Sequence, residues 1–423
     1  MLQYYDVSRD LREKLGKEHM KFFHISDLHI GKRVNGFSML EDQRYILGQI
    51  IELAQEHHPD GVLIAGDLYD KSMPAAEAVE LVDWFLSQLA AREIPVWAIS
   101  GNHDSAERVA YGGQMLEKAG IHMARVFDGT LQRYELPGQA VDIYLLPYLR
   151  PSQVRRFFPE QIIETTQQAV EAVLAGTTLR KDRVNILVMH QFLAGAAVCD
   201  SEELSIGGLD QVDASAVAGF DYVALGHLHR PQKVGKETIR YCGSPLKYSF
   251  SEAGHQKSVT VVEVTKAEDS GTKDAGTKVG KTEAIGTDDT ADRMNGQAGS
   301  VSISLLPLIP RLDLREIRGP MEKLLQKEVY EAANRVDYLH ITLTDEDEVL
   351  DAIGRLREVY PNIMRLDFEK NAAVEETEEA ENFVEEKRPE ELFAEFFWKQ
   401  NGREMSEAQR KMTEEVLAQV CRE

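Results

Sequence analysis

Five short apolar runs in the chain end in residues that can bind a metal ion. The runs are FFHI, GVLIA, PVWAIS, VNILVM and YVAL. The carboxylate, amide and imidazole side chains that follow them are Asp27, His29, Asp67, Asn102, His190, His227 and His229. In three of the five cases a glycine would allow a sharp exit from the strand. A lone Asp-x-His or His-x-His is common in turns, but five repeats of this pattern at strand ends indicate one shared site.

The number and kind of these donors predict a pair of metal ions. Seven ligands are too many for one small cation, whereas two cations that share one carboxylate would use them all. Asp67 is the best candidate for the shared carboxylate. Imidazole-rich sites disfavour magnesium and calcium, so we expect manganese, iron or zinc.

A metal pair of this kind would support hydrolysis of a phosphate ester. Two cations can hold a phosphate between them, lower the pKa of a bound water and stabilise charge on the transferring oxygens. His103 lies between Asn102 and Asp104 and is not needed as a ligand, so it is placed to give a proton to the leaving alkoxide. We expect Asp104 to orient the imidazole of His103.

The elements that must position these residues indicate an α/β unit over residues 20–265. Apolar strands alternate there with helical patterns, one of which carries Val79, Val82, Phe85, Leu86 and Leu89. Such alternation is typical of a sheet with helices on its faces. The carboxyl ends of the strands in an open α/β sheet line one crevice, so ligands from five segments can meet there.

Composition divides the rest of the chain into different kinds of segment. Residues 266–300 are rich in Gly, Thr, Asp and Lys, which predicts a disordered insert or linker. Residues 301–368 show the strand and helix pattern of a small α+β domain. An acidic linker, residues 369–388, leads to a helical hairpin over residues 389–423.

Two motifs in the sequence argue against other classes of site. GTKVGKT at 276–282 imitates a phosphate-binding P-loop, but it has three residues rather than four between its glycines and no apolar strand before it. We therefore expect no ATP site in this chain. The cysteines Cys199, Cys242 and Cys421 are far apart, so a disulfide framework or a zinc knuckle is not expected.

Charge and hydropathy limit the location and the binding mode. The formal net charge of −23 argues against a protein that grips nucleic acid by bulk electrostatics, although part of the acid excess lies in the tail. No apolar run approaches the roughly 18–20 residues needed to cross a bilayer, and the start of the chain lacks a signal-peptide core. We expect a cytoplasmic protein with no membrane partner.

DLH, GDLYD, GNHD, the isolated His190 and GHLH together resemble the calcineurin-like metallophosphoesterase superfamily. The resemblance covers residues 20 to about 265 and implies a four-layer α/β sandwich, here with a small capping domain and a C-terminal helical hairpin. More narrowly, MKFFHISDLHIGK, GDLYDKSMP, the Ser-Pro pair after Gly243 and LREIRGPMEKLL resemble the nuclease subunits of bacterial SbcCD complexes. Such subunits are related to double-strand-break repair nucleases. Residues 1–19 look like an N-terminal extension.

The resemblance implies a role for each residue of the site. One metal ion would be held by Asp27, His29, Asp67 and His229, and the other by Asp67, Asn102, His190 and His227. Both would be divalent, with manganese favoured. His103 matches the catalytic histidine of the family. Residues 301–368 would form the capping domain that places DNA over the site.

The resemblance also implies partners for the hairpin. It would dock at the coiled-coil root of an SbcC-like ATPase, in a heterotetramer that contains a homodimer of the nuclease subunit. The second hairpin helix begins with a capping box, Ser406 with Gln409. The apolar residues expected at the docking surface are Leu392, Phe393, Phe396, Phe397, Met412, Val416, Leu417 and Val420. The alternative is that they fold back on the catalytic domain.

The leading hypothesis is a manganese-dependent DNA nuclease that acts on duplex ends and hairpins. The basic residues expected to meet phosphates are Lys32, Arg33, Lys71, Arg108 and Arg230, which could equally be solvated loop charges. A small-molecule phosphatase on the same site is the second hypothesis, and the capping domain and aromatic hairpin disfavour it. A non-enzymatic DNA-end scaffold is the third, and the presence of all seven ligands and His103 disfavours it.

Overall fold

The chain forms two compact units, residues 1–369 and 370–423. The computed structural model describes residues 19–136, 139–200, 202, 210–266, 299–345, 349–369, 393–394, 397, 405–407 and 409–413. The predicted extension at 1–19, apart from its last residue, and most of the predicted insert at 266–300 lie outside the described residues. So do the P-loop-like stretch and nearly all of the acidic linker.

Two six-stranded sheets form the centre of the first unit. Across the first sheet the strands are Gly299–Pro307, Ser258–Lys266, His19–Ile25, Gly61–Ala65, Val96–Ile99 and Ile121–Met123. Across the second sheet they are Gln232–Val234, Lys236–Tyr241, Tyr222–Gly226, Val184–His190, Val141–Leu146 and Gln132–Glu135. The central strands of each sheet run parallel to one another.

The sheets pack face to face, with helices on their outer faces. Phe22 of the first sheet and Tyr222 of the second belong to one buried apolar cluster between them. Helices Leu40–His57 and Ala76–Ala91 pack on the outer face of the first sheet, and helix Thr166–Ala175 packs on the second. This arrangement is the four-layer sandwich that the sequence resemblance implied.

Smaller elements complete this unit. Its short helices are Ala106–Val109, Gly113–Leu116 and Pro151–Arg155, and its two-residue strands are Arg33–Val34, Phe37–Ser38, Phe192–Leu193 and Gln211–Val212. The helix predicted around Phe85 is present, but Val79 is 44% exposed while Ala78 and Leu81 are buried. The apolar face of this helix therefore begins one residue earlier than the sequence pattern indicated.

Two expectations about the sheets differ from the structure. The five ligand-bearing strands do not share one open sheet, because three lie in the first sheet and two in the second. The strand Gly299–Pro307, expected to open the small domain, belongs to the first sheet and pairs antiparallel with Ser258–Lys266 along its whole length. Alternating apolar residues predict a strand but not the partner beside which it lies, since pairing is decided by contacts distant in sequence.

The small domain follows this strand, over residues 309–369. Its three parallel strands are Leu314–Gly319, Tyr338–Leu343 and Ile363–Phe368, and its helices are Met321–Leu324, Lys327–Tyr330 and Ala352–Arg357. The helices and one face of the sheet enclose a separate apolar cluster. Asp42 of the large domain is fully buried and accepts hydrogen bonds from Arg311 Nε at 3.0 Å and from the Tyr338 hydroxyl at 2.8 Å. The small domain is therefore fixed to the helix Leu40–His57.

The second unit is described only in part. Residues 393, 394, 397, 407 and 409–413 are helical. The predicted capping box is confirmed, because Ser406 N donates to Gln409 Oε1 at 3.0 Å and Gln409 N donates to Ser406 Oγ at 3.4 Å. Phe393 and Met412 are 41% and 68% exposed. Leu392, Phe396, Val416, Leu417 and Val420 lie outside the described residues. Within the described part of the chain, no helix has the length and apolarity required to span a bilayer.

Candidate metal centre

The carboxyl ends of the five strands meet at one edge of the sandwich and bring all seven predicted ligands together. Ligand atoms of Asp27, His29 and His229 lie within 4.8 Å of one another, as do those of Asp27, Asp67 and His190. Asn102 Oδ1 lies 2.9 Å from His190 Nε2 and 3.0 Å from His227 Nδ1. The sequence prediction of a single convergent cluster therefore agrees with the geometry.

Asp67 lies between the two groups of donors. Its Oδ2 is 3.6 Å from His29 Nε2 and 3.3 Å from His190 Nε2, so one carboxylate oxygen faces an imidazole from each group. The other oxygen, Oδ1, accepts the backbone N–H of His103 at 2.9 Å. This is the position that a carboxylate shared by two cations requires.

The protonation and spacing of the imidazole nitrogens are compatible with a bound cation. His190 Nδ1 lies 2.7 Å from the carbonyl oxygen of Ala65, so that nitrogen carries the proton. In the neutral ring, the lone pair on His190 Nε2 would face the oxygens of Asn102 and Asp67, which are also acceptors, so either a second proton or a cation is required between them. In the other group, His29 Nε2 and His229 Nε2 are 3.0 Å apart. Two nitrogen ligands of one ion at about 2.1 Å each would lie roughly 3–3.5 Å apart.

Burial sets the protonation of the imidazoles and carboxylates. Burial lowers the pKa of His29 well below its usual value and lowers that of His227 to about 3. Neutral imidazoles offer the lone pairs that metal ligation requires. For His190, burial acts in the same direction, but the Asp67 carboxylate outweighs it and raises the pKa to about 9. Burial also raises the pKa of Asp27. A cation next to Asp67 would replace the proton held by His190.

The backbone of the site is strained where the ligands stand. Asp27, His29, Asp67 and His227 all have positive φ, at 54°, 44°, 51° and 103°. Such conformations cost roughly 1–3 kcal/mol each in non-glycine residues and persist where surrounding structure imposes them. Four of the seven predicted ligands share this feature, which is typical of a functional site.

Glycines next to the ligands allow close approach. Gly66 has a φ of +92°, as expected for a sharp exit from its strand. At Gly101 and Gly226, a glycine is required because a side chain would collide with neighbouring atoms. A Cβ on Gly101 would lie 2.1 Å from Asp67 Oδ1, and a Cβ on Gly226 would lie 1.9 Å from the carbonyl oxygen of Ala65. Gly226 therefore lets strands of the two sheets approach each other directly beneath the site.

Changing Gly226 to Ala should destabilise the sandwich. The added methyl group would collide with backbone rather than with a side chain that can rotate away. We expect the free energy of unfolding to fall by about 3 kcal/mol, at the upper end of the usual cost of overpacking. Urea unfolding measures this change. Gly254→Ala is the matched control, since a Cβ there has no neighbour within 4 Å, and equal stability losses in both variants would contradict the explanation.

His103 lies beside the donors, and its ring is fixed by a contact that sequence analysis did not assign. Its ring centroid is 4.7 Å from that of His29, and its Nδ1 donates to the carbonyl oxygen of Asp70 at 3.0 Å. The orienting contact expected from Asp104 is thus made by Asp70. The carboxylate of Asp104 instead accepts the backbone N–H groups of Leu68, Tyr69 and Gly101 at 3.0–3.1 Å. Asp104 fixes the loop that carries Asp67.

A groove of about 580 Å³ opens in front of His103. Its lining residues are Lys32, Asp70, Lys71, Ser72, Met73 and His103. Lys32 Nζ is 2.8 Å from Asp70 Oδ1, and Lys71 is exposed. Two of the five predicted basic residues therefore face the space next to the site.

The other three predicted basic residues do not line this groove. Arg33 donates to the carbonyl oxygen of Gly36, and Arg108 donates to that of Ser72, so both guanidinium groups hold loop backbone. Arg230 is exposed and directly follows His229.

Several residues behind the ligands were missed by sequence analysis. Those in hydrogen-bond contact with a ligand or its backbone are Ser26, Gln43, Glu202, Glu252 and Lys257. Tyr248 places its ring 5.7 Å from His29 and 5.8 Å from His229. Cys242 is a free, buried thiol with Sγ 3.0 Å from Ser26 Oγ. Apart from Ser26, which lies within MKFFHISDLHIGK, none of these residues lies in a motif quoted from the sequence, so no local signal pointed to them.

The fold and the donor set together define a class of enzyme. Residues 20–231, half of the chain, match the calcineurin-like phosphoesterase family. The chain therefore belongs to this family, and it is a metal-dependent phosphodiesterase.

A curated relative narrows the assignment within the family. The SbcD subunit of nuclease SbcCD from Staphylococcus epidermidis is 32% identical over 405 residues, which cover 95% of this chain and 96% of the relative. The chain belongs to the SbcD group of nuclease subunits. Residues 310–401 also match a family described as the type 5 capsule protein repressor C-terminal domain. That match includes the small domain and the start of the second unit.

Two solved structures align with little more than half of this chain. The protein TT1561 of Thermus thermophilus is 12% identical with a TM-score of 0.32, over 57% of this chain and 93% of that one. A dimetal phosphatase from Danio rerio is 11% identical with a TM-score of 0.35, over 59% and 93%.

Proposed function

We propose that the chain is a manganese-dependent DNA nuclease subunit that acts with an SbcC-type ATPase in recombination and repair. It would act as an exonuclease on duplex ends and as an endonuclease on single strands and hairpins. The observation that carries this proposal is the convergence of seven donors and His103 at the head of a groove lined by Lys32 and Lys71. The name of the Staphylococcus epidermidis relative supports the choice of substrate and partner.

In this proposal the donors divide into two sets. Asp27, His29, Asp67 and His229 would hold one ion, and Asp67, Asn102, His190 and His227 would hold the other. The bound ions would polarise the phosphodiester and neutralise charge that develops on its oxygens. Because Nδ1 of His103 donates to the Asp70 carbonyl, the ring would act as the acid in its imidazolium form, in which Nε2 carries the second proton and would give it to the leaving oxygen.

Few cationic side chains near the site would contact the phosphates of DNA. Lys32 and Lys71 line the groove and would contact the DNA backbone there, and Arg230 lies exposed after the last ligand. We propose that Arg33 and Arg108 act through the loops they hold. The small domain, residues 309–369, would extend the DNA-contacting surface.

A substrate comparison tests the proposed function. In manganese, the chain with an SbcC-type partner should cleave a hairpin duplex and a blunt duplex end, and it should cleave a small nucleotide ester far more slowly. Faster hydrolysis of the small ester would favour the small-molecule phosphatase. Absence of cleavage of either substrate in folded, metal-loaded protein would favour a scaffold.

We propose that the second unit binds the ATPase through its exposed apolar residues. Phe393 and Met412 present apolar surface there. Deletion of residues 385–423 should abolish co-purification with the ATPase and leave manganese stoichiometry unchanged, because the donors lie in the first unit. Retention of the ATPase by the truncated chain would place the docking surface elsewhere. The single substitution Met412→Ala is a milder test of the same surface, and it should weaken binding to the ATPase without abolishing it.

The proposed assembly contains a homodimer of this subunit. Met73, Tyr111 and Met115 are 72%, 83% and 71% exposed, which is unusual for large apolar side chains. They lie on two adjacent segments, since Arg108 donates to the carbonyl oxygen of Ser72. We propose this surface as the homodimer contact, within a heterotetramer located in the cytoplasm with its DNA substrate.

A further inference from the structure

The imidazole of His229 is held from behind by a buried carboxylate. Glu252 is fully buried, and its Oε1 lies 3.3 Å from His229 Nδ1. A neutral imidazole donates from one nitrogen only, so donation from Nδ1 leaves a lone pair on Nε2. That Nε2 lies among the donor atoms of Asp27 and His29. Glu252 therefore fixes both the tautomer and the direction of the ring.

Glu252 is itself fixed by groups other than His229. Its Oε2 is 2.5 Å from Lys257 Nζ, and its Oε1 accepts the backbone N–H of Tyr248 at 3.2 Å. Lys257 is also buried, and its remaining N–H groups donate to the carbonyl oxygen of His229 at 2.8 Å and to Ser244 Oγ at 2.9 Å. All three protons of the ammonium group thus have acceptors.

A buried ion pair of this kind is not explained by stability alone. Desolvation of two charges costs several kcal/mol, and apolar residues of similar volume often serve the fold equally well. Here both members of the pair contact the same residue, His229, through its ring and its backbone. In the other group of donors, His190 is held by a different kind of partner, the backbone carbonyl oxygen of Ala65. The ion pair therefore acts on one of the two groups of donors.

We propose that Glu252, with Lys257 as its buried counter-charge, is a positioning residue that sets the affinity of the metal position served by His229. The inference rests on the proposed two-metal centre. Loss of a partner that orients a metal-binding histidine typically reduces metal affinity by about 10- to 100-fold. The reduction should affect one ion and leave the other in place.

Two double variants of the full chain isolate the acceptor that faces His229. Glu252→Met with Lys257→Met removes the charges and the acceptor, while Glu252→Gln with Lys257→Met removes the same charges and keeps an acceptor oxygen. Calorimetric titration with manganese should show two ions bound to wild type. In the Met/Met variant one of the two should bind about 10- to 100-fold more weakly, and in the Gln/Met variant its affinity should be largely restored. Lys21→Met with Glu263→Met, which removes an exposed ion pair of 3.5 Å, is the control and should change neither affinity.

The outcomes separate this inference from the proposed function. Equal loss of affinity in the two Glu252 variants, or none in the folded Met/Met variant, would overturn the positioning role. Failure of wild type to bind two ions would instead remove the proposed metal centre. If the Met/Met variant does not fold, the proposal can still be tested on the wild-type protein. Nuclear magnetic resonance of isotope-labelled histidine, with diamagnetic zinc bound, should show His229 protonated at Nδ1, and protonation at Nε2 would contradict the proposal.

Discussion

Replacement of His103 by Ala should slow cleavage by about two to four orders of magnitude while both metal ions remain bound. The ring contributes no atom to the seven predicted donors, and its Nδ1 is occupied by the Asp70 carbonyl. Loss of a general acid typically costs roughly 10²- to 10⁴-fold in rate. Single-turnover cleavage of a hairpin duplex in saturating manganese measures this effect, and a parallel titration counts the bound ions.

The control for His103 is His58, an exposed histidine at the end of the helix Leu40–His57. His58→Asn suits its left-handed backbone and should leave cleavage unchanged. A His103→Ala enzyme that cut at the wild-type rate would show that another group protonates the leaving oxygen. A His103→Ala enzyme that had lost a metal ion would show that His103 is a ligand rather than an acid.

Replacement of Asp67 by Asn should remove catalysis by weakening both metal positions together. One oxygen of Asp67 faces His29 and His190, which belong to different donor groups. The neutral amide preserves shape but not charge, so both metal positions would lose the negative charge of their shared ligand at once. Several kcal/mol of transition-state stabilisation would be lost with the metal pair, which corresponds to a decrease of about 10³-fold or more in rate.

Manganese titration and cleavage kinetics on the same sample measure the effect of Asp67→Asn. Asp83→Asn, an exposed change on the helix Ala76–Ala91, is the matched control and should bind two ions. An Asp67→Asn variant that lost only one ion would show that the carboxylate serves a single metal position.

Excess manganese should affect the activity of Asp67→Asn and His103→Ala differently. High manganese concentration should partly restore an Asp67→Asn enzyme, because its defect is in affinity. It should not restore His103→Ala, because the missing proton donor is not replaced by metal. This contrast separates a ligand from an acid with one assay.

The donor set could be predicted from the sequence because each donor carries a local signal. An apolar strand followed at once by Asp27 or by His190 is visible in a few residues, and strand ends of an α/β fold converge at one edge. His103 was distinguished from the ligands in the same way, by its place between Asn102 and Asp104. Types and spacings of residues were sufficient to predict that these side chains meet and to propose the chemistry of the site.

Contacts between segments distant in sequence were decided only by the tertiary structure. The strand Gly299–Pro307 lies in the first sheet because of pairing across a long insert. The carbonyl of Asp70, not the carboxylate of Asp104, meets the ring of His103. Glu252 and Lys257 resemble ordinary loop charges in the sequence, and only burial behind His229 reveals them. Side-chain type is local information, whereas burial, register and the choice of hydrogen-bond partner depend on the packing of the whole sandwich.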